Sequence, residues 1–579
     1  MRSCGHVQST IPSLLQSLFS ASFTQVAGFD VQADISRSKV AEYQCNSALR
    51  LAKQMGIKPF EIAQKVVAQI KDSDLISKLE VAGPGFINIT INPKYLSASV
   101  NKQLQSPTLG IDGGKQLRII IDFSSPNTAK EMHVGHLRST IIGDSLARTF
   151  EFLGHDVVRL NHIGDWGTAF GMLIAHIKSQ EDFSLQKIEQ SNLQELMRLY
   201  KESKKRFDED PFFKKQSQME VVALQGGDET SRKIWESICT ISRNAYQEIY
   251  EMLGVHIQER GESFYNPYLS SVVQELEQKG LVTVSDGAKC IFVEGFENRD
   301  GEKMPLIVQK SDGGFNYDTT DMAAIFHRIR DEKADWLVYV TDMGQALHFD
   351  MIFKAAEKAK VLDLEKTRVD HVPFGLVLGS DGKKFKTRSG DTEKLVDLLN
   401  EAVERAEAIL QTRNPDWPEA ERKKIAHILG LGAVKYADLS CHRGGDYTFS
   451  YDRMLRFEGN TAAFIMYSYV RTQSIKRKIG TKYKLDELKV TSLVEPNERA
   501  LALQLAQFPE AIEAAAQELL PNRLTEYLYS LSEQFNLFFR DCRVEGDPNE
   551  SSRLALVEAT GRVLKQGLSL LGIDVPERM

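Results

Sequence analysis

The chain reads as an α/β protein: a Rossmann-like, doubly wound parallel catalytic domain at its centre, an α+β module before it and an all-α bundle after it. Three observations carry that reading. From residue 117 to about 378, strand-like apolar runs alternate with helical spacing, the pattern of a parallel sheet with crossover helices. Before residue 110 the chain is helix-rich and ends in a Gly-Pro-Gly turn that opens an alternating strand. After about 395 strand patterns give way to long amphipathic helices. The expected boundaries are 1–110, 111–394 and 395–579, with a charged, mostly helical insertion at about 180–300.

In the first module, helical spacing covers Ile11 to Phe23, Val40 to Met55 and Pro59 to Ile70, and Gly83-Pro84-Gly85 turns into the alternating run Phe86 to Ile91. Residues 102–116, with Ser106-Pro107 and Gly113-Gly114, read as a linker. Leu117 to Phe123 is apolar and β-branched, as a buried strand requires, and Leu137 to Phe152 is Pro-free with helical spacing. Later strands are expected at Val157 to Leu160, Leu337 to Val340 and His371 to Leu378.

Composition narrows the class. At 579 residues the chain exceeds one core, and 42% hydrophobic with 26% charged residues suits a soluble globular protein. No apolar run reaches membrane-spanning length and no signal-peptide pattern opens the chain, so a cytoplasmic protein is expected, with no membrane partner. The six cysteines (4, 45, 239, 290, 441, 542) contain no Cys-x-x-Cys pair, which disfavours a zinc ribbon, a disulfide framework and a dedicated metal site. A net charge of −7 counts against an RNA partner, but binding follows local potential. Arg471, Lys476, Arg477 and Lys478, with Lys482 and Lys484 behind, form a basic cluster bracketed by Tyr469 and Tyr483, which equally fits a solvated helix end.

Between the first central strand and its helix lies Ser124-Ser125-Pro126-Asn127-Thr128-Ala129-Lys130-Glu131-Met132-His133-Val134-Gly135-His136. A helix N-terminus there attracts anions through its unpaired N–H groups. His133 and His136, three apart, share a face and can both donate to phosphate oxygens, and Gly135 has no Cβ to keep a flat adenosine away. A Gly-flanked basic loop, Ser380 to Gly390, follows the last strand and could bring Lys383 and Lys386 onto a departing pyrophosphate. Tyr317 and Asp321, four apart, supply an aromatic and an acid on one face of a helix beginning near Thr319. A planar guanidinium needs such partners.

The run from Ser124 to Asp144 resembles the HIGH motif of class I aminoacyl-tRNA synthetases, in the form carried by arginyl-tRNA synthetases. Lys383-Lys384-Phe385-Lys386-Thr387 stands where that class carries KMSKS and departs from it, and Lys130 resembles the lysine held to compensate; the division of labour among Lys130, Lys383 and Lys386 stays open. The resemblance implies ATP-dependent ligation of L-arginine to tRNA(Arg) through an arginyl adenylate, with Mg²⁺ accompanying ATP. It implies ATP contacts from Pro126, His133, Gly135, His136 and His348. Substrate arginine would be held by Ser125, Asn127, Tyr317, Asp321 and Gln345, with Glu262 as a second carboxylate and Asp122 beside them. Gly432 to Ser440 and Phe457 to Ala462 also resemble arginyl enzymes, whose helical C-terminal domain grips the tRNA anticodon. Tyr467, Arg471, Arg540 and Met579 are the tRNA candidates there; Phe86 and Asn88 are those of an N-terminal module that touches the outer corner of tRNA. The expected enzyme is a monomer. The competing readings are another class I synthetase, such as a cysteinyl or lysyl enzyme, a noncatalytic RNA-binding relative, and a small-molecule nucleotidylyltransferase.

Overall fold

The computed structural model describes residues 10–70, 73–386 and 393–579. The chain divides into two compact units. The first comprises Gln116–Glu151 and His155–Asp452. Its centre is a five-stranded sheet of Arg118–Asp122 (β1), Asp156–Asn161 (β2), Gln258–Glu259 (β3), Trp336–Asp342 (β4) and Arg368–Phe374 (β5). The order is β5-β4-β1-β2-β3 and every pairing is parallel. Such a sheet is buried on both faces, which is why β1 and β4 read as continuous apolar runs rather than alternating ones. Helix Val134–Phe152 (α1) packs on it through Phe150, whose ring lies 4.9 Å from that of Trp336. Strand order reverses between β1 and β4, the place where an open α/β sheet leaves a crevice beyond its carboxyl ends.

Apart from β3, the insertion is helical as far as Gln278, including Leu193–Glu209 (α2) and Glu229–Leu253 (α3). The expectation of helix through to 300 fails beyond that point. Thr283–Ser285, Ala288–Glu297 and Lys303–Gln309 form an antiparallel sheet, its first hairpin turning on Asp286 and Gly287, both at positive φ. Tyr317–Arg330 (α4) and Ala346–Lys358 (α5) follow, each before or after a sheet strand. Leu395–Arg413 and Glu419–Leu439 belong to this first unit, so the compact units divide near 453 rather than at the expected 395. The buried pair Arg138–Asp438 (3.4 Å) ties the second of these helices to α1. A two-residue strand, Tyr447–Thr448, pairs with Val377–Leu378 inside the stretch expected to lack strands.

The second unit joins residues up to 115 with Phe152–Gly154 and Arg453–Met579. Its sheet orders Ile35–Arg37, Tyr43–Cys45, Phe86–Ile91 and Ile76–Ala82, all antiparallel. The helix expected from Val40 begins only at Ser47, because Tyr43 is fully buried on a strand with its hydroxyl donated to Glu510. Arg499 donates to Glu42 (2.7 Å) and Gln103 to the Leu505 carbonyl (2.7 Å), so the N-terminal module and the C-terminal helices pack as one body. Among the described residues, no helix is long and apolar enough to cross a membrane.

Candidate active site

Beyond β1 the backbone enters the left-handed region at Ser124 (φ 68°), Ser125 (φ 49°) and Ala129 (φ 64°). Non-glycine residues hold such conformations only when surroundings enforce them. Here the Ser124 amide donates to Ser139 Oγ (2.9 Å), the Ser125 amide to Asn161 Oδ1 (2.9 Å) and the Ala129 amide to Ser242 Oγ of α3 (2.9 Å). Asn127 is pressed against Gly164, where a Cβ would stand 2.1 Å from its Oδ1.

The two histidines pack at 4.3 Å between ring centroids. The Gly135 amide donates to His133 Nδ1 (3.0 Å) and the His133 amide donates to His136 Nδ1 (3.1 Å). With both Nδ1 atoms accepting, each ring carries its proton on Nε2. Burial lowers both pKa values, with Lys384 and Lys130 adding to the effect at His133, and brings His136 to about 4. The pair is therefore neutral and donates outward at ordinary pH. Gly135 has a second use beyond leaving room for adenosine: a Cβ there would lie 2.6 Å from the His133 ring.

The turn opens on a cleft of about 800 Å³ at the predicted crevice. Ser125, Asn127 and the histidine pair line one side, and Thr341 to Gln345 and Phe374 to Val377 line the other. A second cavity of about 390 Å³ reaches the same histidines past Lys130, Tyr200 and Lys201, with the Lys130 ammonium 5.2 Å over the Tyr200 ring. The basic loop is a hairpin: the Gly379 amide donates to the Lys383 carbonyl (2.7 Å) and the Phe385 amide to the Val377 carbonyl (3.0 Å). Lys384, which pairs with Leu378 across this hairpin, lines the cleft, whereas the expected Lys383 and Lys386 are exposed and do not. Thr387 to Gly390 of the loop lie outside the described residues. Just past it, the Leu395 amide donates to the Met132 carbonyl (3.1 Å) and the Val134 amide to the Glu393 carbonyl (3.0 Å), which anchors the end of the loop to the histidine turn.

An acidic cluster sits at the start of α4. Asn316 caps this helix, which begins at Tyr317, two residues before the expected start, and leaves the Tyr317 ring 62% exposed. Asp321 Oδ2 lies 2.6 Å from His348 Nε2, and Asp318 Oδ1 lies 3.2 Å from His348 Nδ1. These carboxylates outweigh burial and hold His348 protonated, its pKa raised to about 9. Burial, with Asp321 and Asp165 nearby, pushes Glu262 up to about 8. The cluster connects to the cleft through His162, which is 3.8 Å from Asp321 and donates its amide to Ser125 Oγ (3.1 Å).

The structure thus brings together Ser125, Asn127, His133, Gly135, His136 and Gln345 at the cleft, and Tyr317, Asp321 and Glu262 at the acidic cluster. Three expectations change. His348 engages the aspartates and does not line the cleft where ATP was expected. Pro126 does not line it either; its carbonyl accepts the Gly164 amide (3.0 Å). Asp122 is paired with the buried Arg328 (3.0 Å) and accepts from Ser125 Oγ (3.0 Å), so it supports the turn from beneath. Sequence reasoning missed Asn161, His162, Asp165, Asp318 and Lys384. The Asn-His pair was recognisable as the carboxyl end of β2, adjacent to β1.

In the second unit, the Arg471 guanidinium lies between the exposed rings of Tyr467 (5.1 Å) and Phe539 (4.3 Å) and donates to Asn536 (2.9 Å). Arg540 is engaged by Asp541 (2.7 Å), and Met579 is half-buried. Phe86 is half-buried beside Gly83, and Asn88 accepts from Gln44 (2.8 Å).

Residues 99–451 match the family of class I tRNA synthetases (R), catalytic domain; residues 465–579 match the DALR anticodon binding domain, and residues 6–91 the arginyl tRNA synthetase N terminal domain. The chain is 57% identical to an arginine–tRNA ligase of Protochlamydia amoebophila, covering 99% of both chains. It is 49% identical to one from a Synechococcus strain, over 93% of this chain and 94% of the relative. Among solved structures it resembles the Plasmodium falciparum arginyl-tRNA synthetase (TM-score 0.87, 34% identity, 99% of each chain) and that of Thermus thermophilus (0.78, 25%, 98% and 100%). With its catalytic model covering more than half of the sequence and relatives matching end to end, this chain belongs to the arginyl-tRNA synthetase family of class I tRNA synthetases.

Proposed function

We propose that the chain charges tRNA(Arg) with L-arginine in two steps at the 800 Å³ cleft, first forming arginyl adenylate from ATP and then transferring the arginyl group to the tRNA, with release of pyrophosphate and AMP. The observation that carries this reading is the juxtaposition, through Ser125 and His162, of an acidic cluster with a pair of neutral Nε2–H donors. The cluster suits a guanidinium: Asp321 and Glu262 offer planar acceptors and Tyr317 a ring to lie against. Ser125, Asn127 and Gln345 are then placed for the α-amino and carboxylate groups of arginine. The arginine carboxylate attacks the ATP α-phosphate in line, and His133 and His136 donate to the oxygens on which charge gathers. Lys384 from the hairpin side and Lys130 from the insertion side favour departure of pyrophosphate.

Among the described residues no group of three His, Cys, Asp or Glu side chains is arranged to hold a metal ion. In this reading Mg²⁺ arrives on the ATP phosphates, and no step is assigned to it. The Tyr467–Arg471–Phe539 stack would receive unpaired anticodon bases, and Phe86 and Asn88 the outer corner of the tRNA. We take the enzyme to act as a monomer in the cytoplasm. ATP–pyrophosphate exchange, run with each amino acid with and without bulk tRNA, tests the reading. Exchange with arginine alone among the amino acids supports it, dependence on tRNA adds the order of binding, and exchange with another amino acid overturns it.

A further inference from the structure

We propose that His348 is a positioning residue for arginine, not a contact of ATP: it ties Asp318 to Asp321 and so fixes the carboxylate on which the guanidinium docks. The proposal rests on the acidic cluster being the arginine pocket. Both ring nitrogens face carboxylate oxygens, Nε2 at 2.6 Å from Asp321 and Nδ1 at 3.2 Å from Asp318. Only an imidazolium donates from both nitrogens at once. The two carboxylates are not equivalent. Asp318 is buried and anchored, since its other oxygen accepts the Ile307 amide (2.9 Å). Asp321 Oδ1, by contrast, faces His162 at 3.8 Å, outside hydrogen-bond distance. His348 therefore transmits the fixed position of Asp318 to Asp321 Oδ2 and leaves Oδ1 for a ligand.

Packing restrains the imidazole as well. The Tyr317 and Phe349 rings stand 5.2 Å from it on either count, so the ring cannot swing freely toward the cleft. Charge points the same way. With the buried Glu262 held neutral, Asp318 and Asp321 exceed the single resident imidazolium by one charge, so the pocket retains room for one further monocation. A guanidinium can span Asp321 and Glu262 with separate N–H groups; an ammonium is a point charge that cannot match both planes.

The test is the separation of Michaelis constants in His348→Ala and His348→Gln, assayed by aminoacylation with full-length enzyme and tRNA. Loss of a charge-assisted tether of about 1.5–3 kcal/mol corresponds to a rise of roughly 10- to 150-fold in the KM for arginine. The KM for ATP should stay within about twofold, and His348→Gln, whose amide still reaches one aspartate, should recover part of the loss. A rise in the KM for ATP with the KM for arginine unchanged assigns the ring to the nucleotide and overturns the proposal. So do equal rises in both constants, or a fall in kcat alone. Asp321→Asn is run alongside: an unchanged KM for arginine there removes the pocket reading itself, whatever His348 does. If His348→Ala does not fold, His348→Gln alone decides between these outcomes.

Discussion

At the scale of single residues, what matters is which atoms are already engaged. Each histidine of the turn has its Nδ1 occupied by a backbone N–H, so its proton stays on Nε2 and points away from the chain that holds it. Since His136 titrates near pH 4, its donor role is constant from pH 5.5 to 8.5. We expect His136→Ala to lower the single-turnover rate of adenylate formation by roughly 10²–10³-fold, the cost of one preorganised donor, with little change in the KM for arginine. A loss confined to KM would remove it from the chemical step. Glu262 behaves oppositely. Burial holds it protonated up to about pH 8, so a docking guanidinium must ionise it. Arginine binding at pH 7 should release close to one proton, read by calorimetry in buffers of different ionisation enthalpy, and Glu262→Gln should abolish that release. The residues legible in the sequence were those whose partners lie within a few positions, such as the histidine pair and Tyr317 with Asp321. Asp122 was misjudged because Arg328, which neutralises it, is remote in sequence and adjacent only in the fold.

Elements were legible where a single period governs them. β1, α1 and the carboxyl-terminal helices announce themselves by apolar runs or helical spacing; β1 and α1 formed with boundaries near those expected, and long helices dominate the chain after 395. The antiparallel strands after Gln278 were lost because their charged, half-buried residues blend with the helices before them. Asp286-Gly287 was the available signal, a dipeptide that favours a two-residue hairpin turn. The tighter lesson concerns α1. Arg138, on its second turn, is buried with Asp438 and donates to the Gly445 carbonyl (2.7 Å), while Tyr447 donates to the same aspartate (2.7 Å). No local pattern could connect residue 138 to residue 438, so the helices after 395 were assigned to the wrong side of a boundary. Asp438→Ala leaves a buried guanidinium half-partnered and should destabilise the first unit by about 3–5 kcal/mol. Urea unfolding followed by tryptophan fluorescence checks this; a shift below about 1 kcal/mol would mean that the carbonyl alone satisfies Arg138.

At the scale of the whole molecule, the residues of the first unit lie in chain order between the N-terminal and C-terminal segments of the second. All four tryptophans (166, 235, 336 and 417) fall in the first unit, so tryptophan emission reports on that unit and not on the second. The second unit has its own polar junction, where Glu510 accepts from Arg37 (2.9 Å) and from Tyr43, and Arg499 meets Glu42 (2.7 Å). Removing Glu510 as Glu510→Ala should cost about 2 kcal/mol and lower the melting temperature of the second unit by roughly 4–8 °C. Circular dichroism would register that change while the tryptophan transition stays put; movement of both together would show that the two units melt as one. The interleaved arrangement also sets a clock. A ribosome adding about 5–20 residues per second finishes the N-terminal strands roughly 20–80 s before it reaches the helices that carry Arg499, Leu505 and Glu510. The first unit can close during that interval, but Glu42, Tyr43 and Gln103 lack their partners Arg499, Glu510 and the Leu505 carbonyl. Synthesis therefore leaves the earliest-made part of the chain waiting for the last-made part, and any nascent chain halted before about residue 499 carries a sheet whose polar partners Arg499 and Glu510 were never translated.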